Sequence, residues 1–262
     1  LLCEDDYTNL AANQPLNGTG QWTLLSGSGN IEDSTDPNTY VSGLGVGQNM
    51  FVWTVTSNYG CEAVADTVVI TVGAGYPNLS SNSPVCEGSD IILTVNNASD
   101  YLTFAWQDNN GNPLGNTSTV VIPNAAQSNA GSYSITVTDQ YGCTITGHTG
   151  VEILPVDEAN AGPDQLLCED DYTNLAANQP LNGSGQWTLL SGSGNIEDAT
   201  DPNTYVSGLA IGQNMFVWTV TSNYGCEAVA DTVVIKVGAG YPNLSSNSPV
   251  CEGSDIILTV NN

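Results

Sequence analysis

Residues 50–56 have the sequence Met-Phe-Val-Trp-Thr-Val-Thr, in which Phe51, Trp53 and Val55 alternate with smaller or polar side chains. Residues 66–72 alternate in the same way. A period of two places successive side chains on opposite faces of a β-strand. Helical spacing is absent from the chain, and short runs of this kind are bounded by turn residues. The sequence therefore predicts an all-β fold.

The chain contains a long internal repeat. Leu1-Leu2-Cys3-Glu4-Asp5-Asp6-Tyr7 returns 165 residues later, and residues 1–97 match residues 166–262 with five differences. Those differences are Thr19/Ser184, Ser34/Ala199, Gly45/Ala210, Val46/Ile211 and Thr71/Lys236. Repeats of this kind are typical of tandem domain arrays.

The seven cysteines subdivide this period. Successive pairs are separated by 58, 57 and 58 residues, which is typical of a disulfide framework in an oxidising compartment. The spacing predicts three bonds, Cys3–Cys61, Cys86–Cys143 and Cys168–Cys226. Cys251 is expected to be unpaired by truncation, because a partner about 57 residues further on would lie beyond Asn262, as in a window cut from a longer repetitive chain.

Each cysteine pair predicts one small domain, and two kinds of domain alternate. An A-type domain is expected at 1–74 and again at 157–239, and a B-type domain at 75–156, with the start of a second, truncated B-type copy at 240–262. Several short strands in about 80 residues with one disulfide each predict immunoglobulin-like β-sandwiches. Trp106 stands where that fold buries a tryptophan, and Asn129-Ala130-Gly131-Ser132-Tyr133 resembles its tyrosine corner. Short linkers predict a beaded, semi-stiff rod.

Several motifs resemble a known group of proteins. Ala161-Gly162-Pro163-Asp164-Gln165-Leu166-Leu167-Cys168, with Phe216-Val217-Trp218-Thr219-Val220, resembles the PKD-like and Ig-like repeats of giant Bacteroidota surface proteins. Ser81-Asn82-Ser83-Pro84-Val85-Cys86-Glu87-Gly88, with Tyr141-Gly142-Cys143, is similar to their companion Ig-like module. The resemblance covers nearly the whole chain. It implies export by the type IX secretion system and a stalk or filament in gliding adhesins, cell–cell adhesins or prey-capturing appendages.

Composition excludes several classes of function. The formal charge is −26, with 27 acidic residues against one Lys or Arg, which disfavours nucleic-acid binding and docking on anionic lipid. No apolar run reaches about 18 residues, so no membrane insertion is expected in this segment. The only histidine, His148, has no partner pattern for catalysis, and the chain is predicted not to be an enzyme.

Acidic residues in the segment before the second A-type domain could bind a cation. Asp157, Glu158 and Asp164 offer carboxylate oxygens of the kind that Ca²⁺ prefers. A bound Ca²⁺ would stiffen the array, and no other cofactor is expected. The alternative is that these acids are solvated and keep a secreted polymer soluble.

Three hydroxyl side chains are candidates for glycosylation. The bacterial group named above carries O-glycans at an Asp followed by Ser or Thr and then an apolar residue or Thr, and Ser34, Thr67 and Thr232 fit that rule. The five tryptophans, Trp22, Trp53, Trp106, Trp187 and Trp218, are expected in the cores, with carbohydrate contact as the alternative.

The sequence as a whole predicts an extracellular, cell-surface repeat segment. Its role would be reach and attachment to surfaces or other cells, with the ligand held elsewhere. Its partners would be neighbouring repeats of the same chain and, if several chains bundle laterally, identical chains. Two alternatives remain: a repeat that itself binds glycan or a partner cell, and an accessory region of a secreted carbohydrate-active enzyme.

Overall fold

The computed structural model describes residues 1–3, 5–168, 171–239 and 243–261, and the side chains of 243, 244, 260 and 261 lie outside the description. Within these residues the regular structure is β-strand, apart from two short 3-10 turns at Ala98–Asp100 and Gln127–Asn129. The all-β prediction is confirmed. No helix in the described part of the chain has the length and hydropathy needed to cross a membrane. The chain divides into two compact units, Leu1–Ile153 and Leu154–Asn262.

The first unit begins with a sandwich of two three-stranded sheets, β2-β5-β6 and β1-β4-β3. Its strands are β1 (Thr8–Asn9), β2 (Gly18–Ser26), β3 (Asn30–Ile31), β4 (Tyr40–Ser42), β5 (Gly47–Ser57) and β6 (Val64–Val72). The alternation that predicts β5 is seen directly, since Phe51 and Trp53 point into the core and are 0% and 4% exposed. Trp22 on β2 lies opposite Trp53 and completes the core, with ring centroids 5.1 Å apart. Leu2 adds a parallel bridge to Val72 at the end of β6.

The second sandwich of this unit has more strands. They are β7 (Leu79–Ser81), β8 (Val85–Cys86), β9 (Ile91–Val95), β10 (Tyr101–Gln107), β11 (Pro113–Gly115), β12 (Thr119–Ile122), β13 (Gly131–Asp139), β14 (Thr144–Val151) and β15 (Ile153–Leu154). One sheet has the order β11-β10-β13-β14, the other β12-β9-β7, and β8 pairs with β15. This is the strand arrangement of an immunoglobulin sandwich, in which the first, second and fifth strands face the third, sixth and seventh.

Two side chains support the immunoglobulin-like assignment of the second sandwich. Trp106 on β10 is 1% exposed. The Tyr133 hydroxyl donates to the Asn129 carbonyl oxygen at 2.7 Å, which is the hydrogen bond of a tyrosine corner. Two residues after that tyrosine, where antibody domains place their second core cysteine, this chain has Ile135, which is fully buried. At this position an aliphatic side chain takes the place of the core cysteine, within a core of aliphatic and aromatic residues.

The second unit contains a sandwich that repeats the first. Its strands are β16 (Gln165–Leu167), β17 (Thr173–Asn174), β18 (Gly183–Ser191), β19 (Asn195–Ile196), β20 (Tyr205–Ser207), β21 (Gly212–Ser222) and β22 (Val229–Val237). They form the sheets β16-β22-β21-β18 and β17-β20-β19, with β16 parallel to β22. Beyond them, β23 (Asn243–Ser246) pairs antiparallel with β24 (Leu258–Asn261).

Residues 157–164 are part of this third sandwich. Ala161 is 1% exposed within its core, and the Ala161 amide donates to Asp231 Oδ2 at 2.9 Å. Val233 on β22 is 1% exposed, whereas its equivalent Val68 in the first sandwich, which has no such preceding segment in this chain, is 36% exposed. The segment before an A-type sandwich therefore covers one edge of its core. The domain boundaries after residues 74, 156 and 239 stay a prediction.

Candidate functional site: a disulfide-bonded junction between two sandwiches

The cysteines do not pair within domains, and this corrects the prediction from spacing. Cys3 of the first sandwich bonds Cys143 of the second, with 5.3 Å between the Cα atoms. Cys61, Cys168 and Cys251 are exposed free thiols. Cys86 and Cys226 are disulfide-bonded, but neither to its predicted partner, because Cys143 is taken and Cys168 is free. Only Cys251 has the unpaired state that the sequence predicts.

The reason lies in where each cysteine sits along the strands. Cys3 follows Leu2, whose amide donates to the Thr71 carbonyl at 2.8 Å near the end of β6. Cys61 lies in the turn before β6 begins at Val64. A nine-residue strand is about 30 Å long, whereas the Cα atoms of a disulfide lie within about 7 Å. The two cysteines are therefore at opposite ends of one sandwich and cannot bond.

The same geometry separates the other two predicted pairs. Cys143 directly precedes the eight-residue strand β14. Cys86 belongs to β8, which pairs with β15, and β15 follows the far end of β14. In the third sandwich Cys168 follows Leu167, which pairs with Val237 at the end of β22, and Cys226 precedes the start of that strand. In each of the three complete sandwiches, the first cysteine lies at the end where the chain leaves, and the second lies next to a hairpin at the opposite end.

The Cys3–Cys143 bond sits at a junction in which the linker is fixed by hydrogen bonds. Asp139 is 3% exposed, and its Oδ1 accepts from the amides of Tyr141 and Cys143 at 2.8 and 2.9 Å within its own hairpin. Its Oδ2 accepts from the amide of Ala74, in the linker, at 2.8 Å. A buried carboxylate that accepts three charge-assisted hydrogen bonds is well satisfied. One side chain therefore orients both the disulfide hairpin and the connection between the sandwiches.

Two further contacts restrict the linker. A Cβ atom at Gly73 would lie 2.6 Å from Cys143 Sγ and 2.7 Å from Asp139 Oδ2, so only glycine fits there. The Tyr101 hydroxyl donates to the Gly75 carbonyl oxygen at 2.9 Å, and burial raises the pKa of this tyrosine. The junction thus has a covalent bond on one side of the linker and a buried tyrosine on the other.

A cleft of about 280 Å³ opens beside this junction. It is lined by Val46, Ala74, Ser99, Asp100, Leu102, Gln140 and Tyr141. Its lining includes one carboxylate, that of Asp100, and no basic side chain. We regard it as part of the interdomain contact.

Two of the three calcium candidates have hydrogen-bond partners elsewhere in the sandwich. The carboxylate of Asp157 accepts from the amide and the side chain of Asn182 at 2.6 and 3.0 Å, and Asp164 Oδ1 accepts from the Val234 amide at 2.9 Å. Glu158 is exposed. In the described ranges, no three His, Cys, Asp or Glu residues come together as a metal site. The calcium site stays a prediction. The carboxylates of Asp157 and Asp164 help to hold residues 157–164 on the sandwich.

The glycosylation candidates differ in accessibility. Thr67 on β6 and Thr232 on β22 are exposed, since both lie on the face of the strand that points to solvent. Ser34 is half-buried in a turn where Asp33 Oδ1 accepts from the Thr35 amide at 2.8 Å, a bond that lowers the pKa of Asp33. Modification of all three stays a prediction.

The five tryptophans are core residues, each at most 4% exposed. Two pairs of exposed tyrosines, which no sequence pattern predicts, lie at the surface of the A-type sandwiches. Tyr7 and Tyr40 have ring centroids 5.7 Å apart and are 46% and 37% exposed, and Tyr172 and Tyr205 repeat the arrangement at 5.8 Å. If either sandwich contacts a sugar, these exposed rings are better placed than the tryptophans.

The single histidine lies at the surface of the second sandwich. His148 is exposed on β14 and lies opposite Ser134 on β13 in the strand register. The position is a surface one on an antiparallel ladder.

No protein-family model matches the sequence, and no curated protein matches it. Among solved structures, the chain is similar to the N-terminal eight Ig domains of Down Syndrome Cell Adhesion Molecule, with TM-score 0.49, 12% identity, and coverage of 91% of this chain and 35% of that one. It is similar to the insect immune protein hemolin (TM-score 0.40, 13% identity, 90% and 73% covered) and to a three-Ig fragment of titin (TM-score 0.36, 11% identity, 91% and 95% covered). The chain therefore spans about a third of the length of the first of these, and the first and the third are fragments made of several Ig domains.

Proposed function

We propose that this chain is a non-enzymatic structural segment of a stalk or filament, part of a very long extracellular bacterial surface adhesin or appendage exported by type IX secretion. The observation that carries the proposal is the covalent junction between the first two sandwiches. A bond between domains prevents them from separating under tension, which a spacer requires and a freely tethered binding module does not.

Other features support a cell-surface location. Disulfides form and persist in oxidising, extracellular compartments. A single Lys or Arg in 262 residues gives trypsin-like proteases almost no cleavage site. The charge of −26 keeps such a polymer soluble and opposes lateral bundling, so neighbouring repeats of the same chain are the first partners to expect.

The test is to delete one in-frame 165-residue period from the gene in the source bacterium. We expect electron microscopy to show an appendage shortened by a fixed increment, with attachment of cells to surfaces retained. Loss of attachment at unchanged appendage length would refute the spacer role.

A second candidate function is glycan binding by each A-type sandwich, favoured by the exposed tyrosine pairs Tyr7/Tyr40 and Tyr172/Tyr205. A glycan array with the 262-residue chain distinguishes the two. Binding that is lost in a Tyr40→Ala, Tyr205→Ala variant would support the second candidate, and no binding to any glycan would support the spacer.

A further inference from the structure

Three cysteines have free thiols, yet each has a bonded equivalent in the other copy of the repeat. Cys168 is the equivalent of Cys3, which bonds Cys143. Cys61 and Cys251 are the equivalents of Cys226 and Cys86, which are both disulfide-bonded. The same residues in the same local sequence therefore form disulfides when a partner is present.

The backbone around Cys168 is already arranged as it is around Cys3. The Gly238 amide donates to the Leu167 carbonyl at 2.7 Å, as the Gly73 amide donates to the Leu2 carbonyl at 2.8 Å. The difference is in what covers the site. Gly73 is buried against the sulfur and carboxylate of the Cys143 hairpin, whereas Gly238 is half-buried and a Cβ atom there would meet nothing closer than backbone at 3.3 Å.

We propose that Cys168, with Gly238 and Ala239 beside it, is a docking and disulfide site for the hairpin of another B-type sandwich. The hairpin is the segment 139–143, Asp-Gln-Tyr-Gly-Cys. Its aspartate would accept a hydrogen bond from the Ala239 amide, because Asp139 accepts from Ala74, and its cysteine would bond Cys168. The general rule is that the exit-end cysteine of each sandwich bonds the hairpin cysteine of the next, 140 residues on. The inference rests on the cysteine geometry and does not depend on the proposed stalk function.

The bond forms by oxidation of two thiols, with loss of two protons and two electrons. The acceptor is a small-molecule disulfide such as oxidised glutathione. One cysteine thiolate attacks it and releases one glutathione thiolate, leaving a mixed disulfide on the protein. The second cysteine thiolate then attacks the protein sulfur of that mixed disulfide and releases the second glutathione.

The test extends the chain so that the partner exists. Asn262 is the equivalent of Asn97, so a copy of residues 98–153 appended after Asn262 completes the second B-type sandwich. Both chains are folded in glutathione redox buffer, alkylated with iodoacetamide, digested with a protease that cleaves at Asp or Glu, and mapped by mass spectrometry. The 262-residue chain should alkylate at Cys61, Cys168 and Cys251.

In the extended chain we expect Cys168 to be linked to the appended copy of Cys143, so that alkylated cysteines fall from three to two. Cys168 left free, or linked to Cys226 within its own sandwich, would overturn the proposal.

A variant tests the docking geometry without touching a cysteine. Gly238→Val fills the space that the hairpin sulfur needs, while its Cβ makes only a close backbone contact within its own sandwich. We expect Cys168 to return to the alkylated form in the extended G238V chain. The near-ultraviolet circular dichroism of the tryptophans, two of which lie in the third sandwich, should match that of the extended chain without the substitution. Full Cys168 cross-linking in that folded variant would contradict the docking geometry.

Discussion

The Cys3–Cys143 bond should lock a long stretch of chain against mechanical extension. The bond closes a loop with a sequence separation of 140 residues, and an extended chain spans at most about 3.3–3.6 Å per residue. When the ends are pulled, roughly 460–500 Å of contour length therefore stays inaccessible while the bond is intact.

Single-molecule force spectroscopy measures this length directly. A variant in which the other five cysteines are replaced by serine keeps only this bond, and handles are placed at residues 1 and 262. We expect the contour length released on unfolding both sandwiches of the first unit to rise by roughly 460–500 Å when the bond is reduced. Cys143→Ser in the same background should give the reduced value in either condition.

The same variant has a thermodynamic expectation. Closing a loop of this length stabilises the folded state by about 5 kcal/mol in the chain-entropy model. Reduction should therefore lower the free energy of unfolding of the first unit by up to that amount, measured by urea denaturation. A released length that does not change on reduction would show that Cys3 and Cys143 do not bond, and the junction as described would be wrong.

Three further substitutions, two of them with a matched control variant, test packing and hydrogen bonds. Gly73→Ala should lower the free energy of unfolding of the first unit by about 1–3 kcal/mol, measured in urea, because its Cβ overlaps the disulfide hairpin. The control Gly238→Ala should lower the free energy of unfolding by less. Equal losses of unfolding free energy in the two variants would contradict the crowding at the junction. Tyr133→Phe should cost about 1–3 kcal/mol of unfolding free energy, since it leaves a carbonyl unpaired in the tyrosine corner, and an unchanged melting temperature would argue against that bond. Asp157→Asn should lower the free energy of unfolding by about 1–2 kcal/mol in calcium-free buffer, because the carboxylate accepts two hydrogen bonds from Asn182. The control Glu158→Gln, at an exposed position, should leave the unfolding free energy almost unchanged. A stabilisation by Ca²⁺ that is lost in both variants would instead favour a cation site.

Much of the fold follows from the sequence because strand burial depends on local pattern. The alternation in residues 50–56 and the Trp106 and Tyr133 positions predict which side chains enter the cores. Phe51, Trp53, Trp106 and Tyr133 are buried as expected, and Val55 is half-buried. The solvent-exposed face of β6 and β22 is predicted in the same way, because one position on that face is Thr71 in the first copy and Lys236 in the second. Periodicity is sufficient to predict which side chains are buried, since alternate residues along one strand lie on the same face.

The disulfide pairing could not be obtained from the same reasoning. Regular spacing of 58, 57 and 58 residues fits one bond per domain, but it fits a bond to the next domain equally well, because both patterns repeat with the domain. The missed signal was position within the strands. Cys61 and Cys143 each follow an Asn-Tyr-Gly or Gln-Tyr-Gly turn, which marks a hairpin, whereas Cys3 and Cys168 lie at the edge of a domain.

The Cys3–Cys143 bond joins the ends of two domains and does not join the two sheets of one core. A bond inside the core protects one domain from unfolding, and here aliphatic and aromatic packing around Ile135 and Trp106 already closes it. A bond at the domain end instead opposes the separation of neighbouring sandwiches. Without that bond, only the short linker 73–75 and a few hydrogen bonds would resist their separation. Because the exit-end and hairpin cysteines occur in every complete domain, the pattern can continue along an array without any new sequence feature. A repeat that places its covalent bonds at the junctions is suited to transmitting tension along its length.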